Sequence, residues 1–238
     1  MAERRFVVEG PQAVREALPT LVELYADPDG AARCADLLAA APCPVTAVCR
    51  EVLAAMADTV TPQGVLGIAP LLDVPLAAAV AGAPRLVAVL EAVSDPGNAG
   101  TVIRTADAAG AGAVVLTDGS TDPHGGKCVR ASAGSLWHVP VVHGASIQDT
   151  VAALRATGLT VLATSGTGDA DLHDLQEGGG LAGPTAWLFG NEAVGLSEQA
   201  MALADRTVRI PIHGHAESLN LATAAALCLY ASARAQRH

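Results

Sequence analysis

From about residue 84 onwards the chain repeats one pattern: a short apolar stretch, a turn rich in Gly or Asp, and an Ala-rich stretch of helical length. The apolar stretches predict strands at 86–91, 113–117, 139–143, 160–164, 185–189 and 207–212. Helices are predicted between and after them at 98–109, 146–157, 196–204 and 218–235. Because each strand is apolar throughout and alternates with helices, the pattern predicts an α/β fold with a mostly parallel sheet covered on both faces.

The first 72 residues have a less regular pattern, which predicts a small α/β domain. Its predicted strands are 5–9 and 65–69, and its predicted helices are 11–18, 31–40 and 51–57. Residues 73–84, which include Pro75 and a run of small side chains, are predicted to form a linker. The remaining residues, 85–238, form the larger predicted domain.

Composition supports this architecture and limits the function. Apolar residues make up 51% of the chain, yet Phe, Trp and Tyr together make up only 3%, which suits helices packed on aliphatic strands better than an aromatic β-sandwich. The net charge of −10 argues against a broadly basic surface for nucleic acid. Any contact with nucleic acid is therefore expected to be local.

The cysteines and the N-terminus bear on the compartment. None of the five cysteines forms a Cys-x-x-Cys pair, and an odd number cannot all be paired, so we expect buried free thiols in a reducing environment. The N-terminus lacks the pattern of a signal peptide, and the apolar run 219–230 is too short to span a bilayer. These features predict a cytoplasmic protein without a membrane segment.

Three segments that follow predicted strands carry polar chemistry, and ligands of parallel α/β sheets bind beyond the carboxyl ends of the strands. In the first, 94–104, Pro96 and Gly97 predict a turn and Asn98 is the expected N-cap of the next helix. Arg104 departs from the apolar stripe of that helix. Taken alone, Arg104 fits a solvated surface residue as well as a functional one.

The same segment has an alternative interpretation as a dinucleotide-binding turn. Gly97 and Gly100 follow a strand, and Asp118 ends the next strand about twenty residues later, as in nicotinamide-binding folds. The spacing is Gly-x-x-Gly, however, and lacks one glycine that the backbone needs to approach a pyrophosphate. A nicotinamide-dependent dehydrogenase therefore remains the alternative from another class.

The second segment, 187–197, contains Gly190, Glu192 and Gly195, and Glu192 fits either an ordinary first-turn acid or a functional carboxylate. In the third segment, 210–221, Ser218 is the expected N-cap and Asn220 is an uncommon residue for the first turn of an Ala- and Leu-rich helix. His213, His215 and Glu217 are near one another there. No third His or Cys stands at ligand spacing, so no metal is predicted.

Together these segments resemble the SpoU (TrmH) family of RNA ribose methyltransferases in the SPOUT superfamily. The resemblance rests on Asn98, Gly100 and Arg104 in the first segment, on Gly190, Glu192 and Gly195 in the second, and on Ile210, Pro211, Gly214, Ser218, Leu219 and Asn220 in the third. The motifs follow the family's order and span 86–230. The stretches 6–10 and 61–65 are similar to the small RNA-recognition domain that many members carry.

The resemblance implies the fold, the cofactor and the assembly. The C-terminal segment would thread a loop to form a deep trefoil knot, and S-adenosylmethionine would bind in the knotted loops. The backbones of Gly190, Ile210 and Leu219 would hold its adenosine part, with Leu188 and Thr164 lining the pocket. Members are usually homodimers, and helix 218–235 is the candidate interface element.

The resemblance also assigns catalytic roles around a ribose 2′-hydroxyl, which must lose its proton to become a good nucleophile. Arg104 is implied nearest this task. Because a guanidinium is normally always charged, it would bind an RNA phosphate bidentately and stabilise the developing alkoxide, or else a strongly perturbed Arg104 would take the proton itself. Asn98 and Glu192 would position Arg104 and the ribose, while Ser218 and Asn220 would fix the loop and approach the target nucleotide.

The implied substrate is structured RNA, with 23S ribosomal RNA favoured over transfer RNA because of the N-terminal similarity. Candidate RNA-binding residues are Arg4, Arg5, Lys127 and Arg130, with Arg33 and Arg50 as further members of a basic rim. Each of these also fits a plain surface charge. A non-catalytic RNA-binding protein is a further alternative, which the presence of Asn98, Arg104, Glu192 and Asn220 disfavours.

Overall fold

The computed structural model describes residues 4–237 and contains two sheets. The N-terminal sheet has the strand order β1-β4-β2-β3 and mixes antiparallel with parallel pairing. Its strands are β1 (Arg5–Glu9), β2 (Glu23–Ala26), β3 (Val45–Ala47) and β4 (Val65–Pro70). Its helices are α1 (Pro11–Ala17), α2 (Pro28–Arg33), α3 (Ala35–Ala40) and α4 (Arg50–Met56). A helix, α5 (Leu76–Val80), lies within the predicted linker.

The sequence pattern located the first and last strands of this sheet and missed the two short ones between them in the chain. β2 and β3 have only four and three residues, so neither shows a period that can be recognised. The single helix predicted at 31–40 is wrong, because two helices meet at Cys34, whose φ of −120° is not helical. The Asp27 side chain accepts a hydrogen bond from the Gly30 amide and starts α2 earlier, with Pro28 at its first position.

The C-terminal sheet has seven strands in the order β7-β6-β5-β10-β8-β11-β9, and every pairing in it is parallel. The strands are β5 (Leu86–Leu90), β6 (Ala113–Thr117), β7 (Val141–Ala145), β8 (Thr160–Thr164), β9 (Ala170–Asp171), β10 (Thr185–Phe189) and β11 (Arg206–Arg209). The helices are α6 (Pro96–Ala109), α7 (Gly126–Ser132), α8 (Ile147–Ala156), α9 (Leu172–Glu177), α10 (Glu198–Leu203) and α11 (Leu221–Gln236). The predicted parallel α/β sheet is confirmed.

Two helix starts differ from the prediction, and both differences bear on the site. Asp95, not Asn98, caps α6: its side chain accepts from the Asn98 amide at 2.8 Å, and Pro96 occupies the first turn. Asn220, not Ser218, caps α11 and accepts from the Ala222 amide at 2.9 Å. Asn98 is therefore inside its helix, and Ser218 belongs to the preceding loop.

Helices cover both faces of the large sheet and form two cores. On one face, α6 and α11 pack against each other and over β5 and β10, with Trp187 fully buried and donating from Nε1 to Ser232 Oγ at 2.9 Å. On the other face, α5, α8 and α10 pack over residues such as Val89 and Val161. The first core continues without a break into the N-terminal sheet, so the two predicted domains share apolar packing.

Hydrogen bonds and ion pairs also cross the junction between the two sheets. Glu9 of β1 accepts from Arg130 of α7, with 3.3 Å between Oε2 and NH1. When His138 is protonated it donates from Nδ1 to Asp107 (2.9 Å) and from Nε2 to Glu16 (3.2 Å), which joins α6 to α1. These contacts fix the N-terminal sheet beside α6 and α7.

His124 lies at the same junction, but its neutral form is the one that the surroundings favour. Its buried ring packs against Phe6 at 4.8 Å between centroids, and its Nε2 accepts a hydrogen bond from the Leu72 amide at 2.9 Å. Burial lowers the pKa of His124, and the carboxylates of Asp122 and Asp73 only partly oppose this. The neutral form is therefore the one that fits the fold.

We expect His138 and His124 to give opposite pH dependences. Hydrogen bonding to Asp107, and also to Glu16, raises the pKa of His138, so its contribution is complete below the unfolded pKa and is lost as pH rises through the folded pKa. The pKa of His124 is lowered, so its contribution is complete above the unfolded pKa and is lost as pH falls through the folded pKa.

The measurement is urea unfolding of wild type and His138→Gln across pH. The variant should lose more unfolding free energy at about pH 5.5 than at about pH 8. His215→Gln, at an exposed position outside the junction, is the control and should track wild type at both pH values. An equal loss in His138→Gln at both pH values would contradict the ion-pair account.

The structure also bears on the predictions about the cysteines and about a membrane segment. The cysteines are free, and Cys34, Cys128 and Cys228 are buried, whereas Cys43 is half-buried and Cys49 is exposed. The expectation of buried thiols is therefore wrong for Cys43 and Cys49. Between residues 4 and 237, no helix has both the length and the apolar character needed to cross a membrane.

Candidate active site

The three polar segments follow strands whose carboxyl ends lie at one edge of the parallel sheet. β5 and β10 are neighbours at the centre of the sheet, and the chain continues from β5 to β6 on one side while β8 lies on the other. Such a reversal of strand order opens a crevice for ligands. The loops after β5, β10 and β11 are therefore expected to meet there, and their hydrogen bonds show that they do.

Glu192, in the loop after β10, is the centre of these contacts. Its Oε1 accepts from Asn98 Nδ2 at 3.0 Å and from the Asp95 amide at 3.3 Å. Its Oε2 accepts from both the amide and the hydroxyl of Ser94, each at 3.2 Å. One carboxylate thus joins the loop after β10 to the start of α6.

These donors determine the charge of Glu192. Partial burial by itself would raise the pKa of Glu192, but the hydrogen bonds from Asn98 and from the backbone of Ser94 and Asp95 outweigh burial and lower it. The group is therefore ionised at neutral pH and is a weak proton acceptor. Its geometry suits it to orient its neighbours.

Asn98 extends the contact to the third segment. Asn220 donates from Nδ2 to Asn98 Oδ1 at 3.0 Å while its own Oδ1 caps α11. Since Asn98 also donates to Glu192, the side chains of Asn220, Asn98 and Glu192 form a continuous chain of hydrogen bonds. All three polar segments converge through these side chains, although Asn98 lies 94 positions before Glu192 and 122 before Asn220.

The loop after β10 is folded tightly on itself. The amides and carbonyls of Asn191 and Gly195 bond to each other at 2.8 and 3.0 Å, and Asn191 Nδ2 donates to the Ala92 carbonyl at 2.7 Å. A Cβ at Gly190 would lie 2.1 Å from backbone atoms of Gly195 and Leu196. Only glycine fits at position 190 without moving this loop.

A groove opens beside the Asn220 end of the chain of hydrogen bonds, between the loops after β8 and β11. It encloses about 160 Å³, and its lining includes Thr164, Ile210, Ile212, Ser218 and Leu219. The groove thus brings together four of the predicted residues: Thr164, Ile210, Ser218 and Leu219.

Two other predicted cofactor residues do not line the groove. The Leu188 side chain is fully buried in the core on the far face of the sheet, and only its carbonyl approaches, accepting from Thr164 Oγ1 at 2.9 Å. Gly190 lies at the end of β10 beside Gly195 and not among the lining residues.

The chemistry of the groove fits a nucleoside. Ile212 and Leu219 expose apolar surface there, although such side chains are usually buried. Within the described part of the chain, the backbone of 211–219 forms no hydrogen bond to other backbone groups. Apolar side chains can pack on the faces of an aromatic base, and the free amides and carbonyls beside them can form hydrogen bonds with its edge. These residues therefore fit the adenosine part of S-adenosylmethionine.

The basic residues differ in whether they have hydrogen-bond or ion-pair partners. Arg104 is exposed on α6 and, among residues 4–237, has no hydrogen-bond or ion-pair partner. The four other predicted RNA-binding residues each pair with a carboxylate: Arg4 with Asp73, Arg5 with Glu23, Lys127 with Asp95, and Arg130 with Glu9 and Asp58. Of the further rim residues, Arg50 pairs with Asp29, and Arg33 donates to the Gln63 carbonyl at 2.9 Å.

Sequence reasoning missed several residues that hold the site in place. Glu91 is buried at the end of β5 and accepts from the amide and hydroxyl of Ser197, at 2.8 and 2.5 Å, which anchors the far end of the loop after β10. Asp95 accepts from Lys127 Nζ at 2.6 Å, and this contact is the main reason that its pKa is lowered. An acid directly after an apolar strand was the available signal for Glu91, because a buried carboxylate requires donors.

The histidines of the third segment stay apart from this arrangement. His213 and His215 are exposed, and His213 stacks near His173 with ring centroids 6.3 Å apart. Within the part of the chain that the structure describes, no group of three or more His, Cys, Asp or Glu is placed to hold a metal ion.

Comparison with known proteins agrees with the site geometry. Residues 85–230 match the model of the SpoU rRNA Methylase family. The chain is 35% identical over 227 residues to the 23S rRNA (guanosine(2553)-2'-O)-methyltransferase RlmP of Bacillus subtilis, covering 94% of this chain and 87% of that protein. It is 40% identical over 146 residues to the 23S rRNA (uridine(2479)-2'-O)-methyltransferase of Streptomyces viridochromogenes, covering 59% of this chain and 50% of that protein.

Solved structures are similar over nearly the whole chain. The SpoU methyltransferase AviRb from Streptomyces viridochromogenes in complex with AdoMet superposes with a TM-score of 0.85 at 30% identity, covering 97% of this chain and 90% of that one. The AdoMet-bound rRNA methyltransferase from Sinorhizobium meliloti has a TM-score of 0.80 at 33% identity, covering 97% and 87%. With the three motifs joined at one edge of a parallel sheet, this chain belongs to the SpoU family of rRNA methyltransferases.

Proposed function

We propose that this SpoU enzyme transfers a methyl group from S-adenosylmethionine to a ribose 2′-hydroxyl of 23S ribosomal RNA, releasing S-adenosylhomocysteine and the hydroxyl proton. The observation that carries the proposal is the chain of hydrogen bonds from Asn220 through Asn98 to Glu192, which lies beside the groove. The relatives named for 23S rRNA support this substrate. Transfer RNA is the competing substrate and is an outcome of the test below.

S-adenosylmethionine supplies a methyl group already activated by a sulfonium charge. The groove residues Ile210, Ser218 and Leu219 hold its adenosine part through apolar contact and through the unpaired backbone of their loop. Gly190 allows the loop after β10 to approach the same edge. The groove residues fix the donor, and the chain's further task is to fix and activate the ribose.

Arg104 is the residue whose chemistry best suits a role at the ribose and its phosphate. With no intramolecular partner among the described residues, its guanidinium offers both arms to an RNA phosphate and can stabilise negative charge that develops on the 2′-oxygen. Glu192 stays ionised and holds Asn98, so it orients the site without taking the proton. Asn220 caps α11 and bonds to Asn98, and Ser218 lies in the loop proposed to face the target nucleotide.

Assembly and topology complete the proposal. The C-terminal segment forms the trefoil knot typical of the family, and the enzyme acts in the cytoplasm as a homodimer. One side of α11 exposes Leu227 and Tyr230, with exposed fractions of 45% and 52%, one helical turn apart. An apolar pair of this kind on an otherwise packed helix supports the use of α11 as the subunit interface.

Thermal shift separates this proposal from the dehydrogenase alternative. A ligand that binds the native state raises the melting temperature, so S-adenosylmethionine should stabilise the protein and a nicotinamide dinucleotide should not. The Gly-x-x-Gly turn at 97–100 is occupied by the start of α6, where Gly97 lies against Asp95 and Lys127. Stabilisation by the nicotinamide dinucleotide alone would overturn the proposed function.

Mapping the methylated nucleotide identifies the RNA. Purified enzyme is incubated with 23S transcript, with transfer RNA and with labelled donor, and nuclease fragments are analysed by mass. We expect one ribose methylation in the 23S transcript and none in transfer RNA. Methylation of transfer RNA alone would replace the substrate, and methylation of a base in place of a ribose would contradict the reaction.

A further inference from the structure

A cavity at the junction of the two sheets has no part in the site described above. It encloses about 320 Å³ between the N-terminal sheet and α7. Its apolar floor is formed by Leu53, Val65 and Leu66, and its polar rim by Thr59, Thr61, Gln63 and Arg130. These seven residues define the junction cavity.

Buried interactions hold the walls of the junction cavity in place. The carboxylate of Glu9 accepts from the amides of Asp58 (2.7 Å) and Thr59 (3.2 Å) and from Arg130 (3.3 Å). It therefore joins β1, the loop after α4 and α7 in one contact. A cavity whose walls are fixed in this way is formed before any ligand arrives, which reduces the entropic cost of binding.

The rim contains hydrogen-bonding groups that the protein does not use. Within residues 4–237, the hydroxyls of Thr59 and Thr61 and the side-chain amide of Gln63 form no hydrogen bond. An amide offers a donor and an acceptor side by side, the arrangement that pairs with the edge of a nucleobase. An apolar floor beneath such a rim suits a flat, partly polar ring.

The junction cavity is connected to the active site through α7. Lys127 and Arg130 are one helical turn apart, a rise of about 5 Å. Lys127 bonds to Asp95, the cap of the helix that carries Asn98, whereas Arg130 lines the cavity. Two cations on one short helix thus lie between the active site and the cavity. Each is held by a carboxylate and would share that partner with an RNA phosphate.

We propose that the junction cavity binds one unpaired nucleobase of the RNA substrate, close in the strand to the nucleotide that is methylated. This inference rests on the proposed function. The volume is at the lower end of the roughly 300–1,000 Å³ typical of ligand sites, which suits a single base. Sequence-specific RNA recognition commonly uses bases that have left the stack and pair through their edges. The cavity thereby selects the RNA sequence around the target.

Gln63→Ala is the central variant for this proposal. The Gln63 side chain is exposed and makes no hydrogen bond within the described part of the chain, so the variant should fold with an unchanged melting temperature. Loss of its contacts with the base should raise the KM for RNA roughly three- to ten-fold, with kcat at saturating RNA unchanged. Val60→Ala is the matched control, because Val60 belongs to the same loop, is 97% exposed and does not line the cavity.

A second measurement identifies the base. A synthetic hairpin is taken from the 23S segment that the protein protects from nuclease digestion, and it is made with an abasic residue at each unpaired position in turn. Binding by wild type and Gln63→Ala is measured by fluorescence anisotropy. One position should weaken binding to wild type and leave binding to Gln63→Ala unchanged. If every abasic position affects both proteins equally, or if Gln63→Ala behaves as wild type, the proposal is overturned.

Two controls distinguish an RNA base in the junction cavity from a free nucleotide and from a failure of the proposed function. The anisotropy experiment measures binding of the hairpin and needs no methyl transfer. A failure to methylate RNA would therefore reject the proposed function, while the contribution of the cavity to RNA binding would still be measured. Adenosine and guanosine monophosphate are titrated as free ligands. If Gln63→Ala abolishes their binding and leaves RNA binding unchanged, the cavity serves a free nucleotide and the RNA proposal is overturned.

Discussion

Replacing Arg104 with Ala is expected to lower kcat for methyl transfer at least about 100-fold, because the developing charge on the 2′-oxygen loses its stabilising group. The affinity for S-adenosylmethionine should stay within a few-fold of wild type. Arg104 lies on α6, whereas the groove proposed for the adenosine is lined by the loops after β8 and β11. Single-turnover methylation and calorimetric titration of the cofactor measure the two quantities.

The same experiment distinguishes a catalytic from a structural role. The Arg104 side chain is exposed and has no partner among the described residues, so its removal should leave the melting temperature unchanged. If the variant lost stability, cofactor affinity and activity together, the role of Arg104 would be structural and not catalytic. Arg206→Ala is the matched control, since Arg206 is also exposed but lies at the start of β11, at the opposite end from the site loops.

Arg104→Lys separates charge from geometry. Lys keeps the positive charge but cannot form two parallel hydrogen bonds to one phosphate. If the bidentate contact is needed, this variant should retain only a small fraction of activity and show a raised KM for RNA. Full activity in Arg104→Lys would reject the bidentate account and leave charge alone as the requirement.

The parallel sheet was predictable because each of its long strands is apolar at successive positions. In β5, all residues from Leu86 to Leu90 are buried, as expected for a strand covered on both faces. The N-terminal strands β2 and β3 were not predictable, because strands of four and three residues carry too little pattern. Helix α7 was also missed: it starts in a Gly-rich turn and spans only seven residues, yet it carries Lys127 and Arg130.

The helix caps show how two local signals compete. Asp95 and Asn98 are both good N-cap residues, and Pro96 decides between them, because Pro fits the first helical turn directly after a cap. The choice between Ser218 and Asn220 depends on the path of the loop from β11, which no local pattern specifies. In both cases the displaced residue remains at the site in another role.

The contacts among Asn98, Glu192 and Asn220 join positions 94 and 122 residues apart. The rule that parallel strands end at one edge predicts that their loops are neighbours, but it cannot pair particular side chains. The carboxylates that pair with the predicted basic rim could not be predicted from local sequence either. Lys127 lies 32 positions from Asp95, and Arg130 lies 121 positions from Glu9.

Gly190→Ala is expected to be the most damaging small substitution in the loop after β10. The added Cβ would lie 2.1 Å from backbone atoms of Gly195 and Leu196, which cannot rotate away as a flexible side chain would. The loop after β10 must therefore move, at a cost of about 1–3 kcal/mol or more. We expect the melting temperature to fall by roughly 5 °C or more in a chain of this size.

The movement should also abolish activity, because the displaced loop carries Glu192. Hydrogen bonds of 3.0–3.3 Å from Asn98, Ser94 and Asp95 to this carboxylate tolerate little displacement, and their loss would leave the Asn98 side chain held by Asn220 alone. Gly82→Ala is the control: a Cβ there meets nothing within 4 Å, and the position is remote from the site, so stability and activity should both match wild type. If Gly190→Ala retains the melting temperature and the methylation rate of wild type, the close approach of the loop is not what holds Glu192 in place.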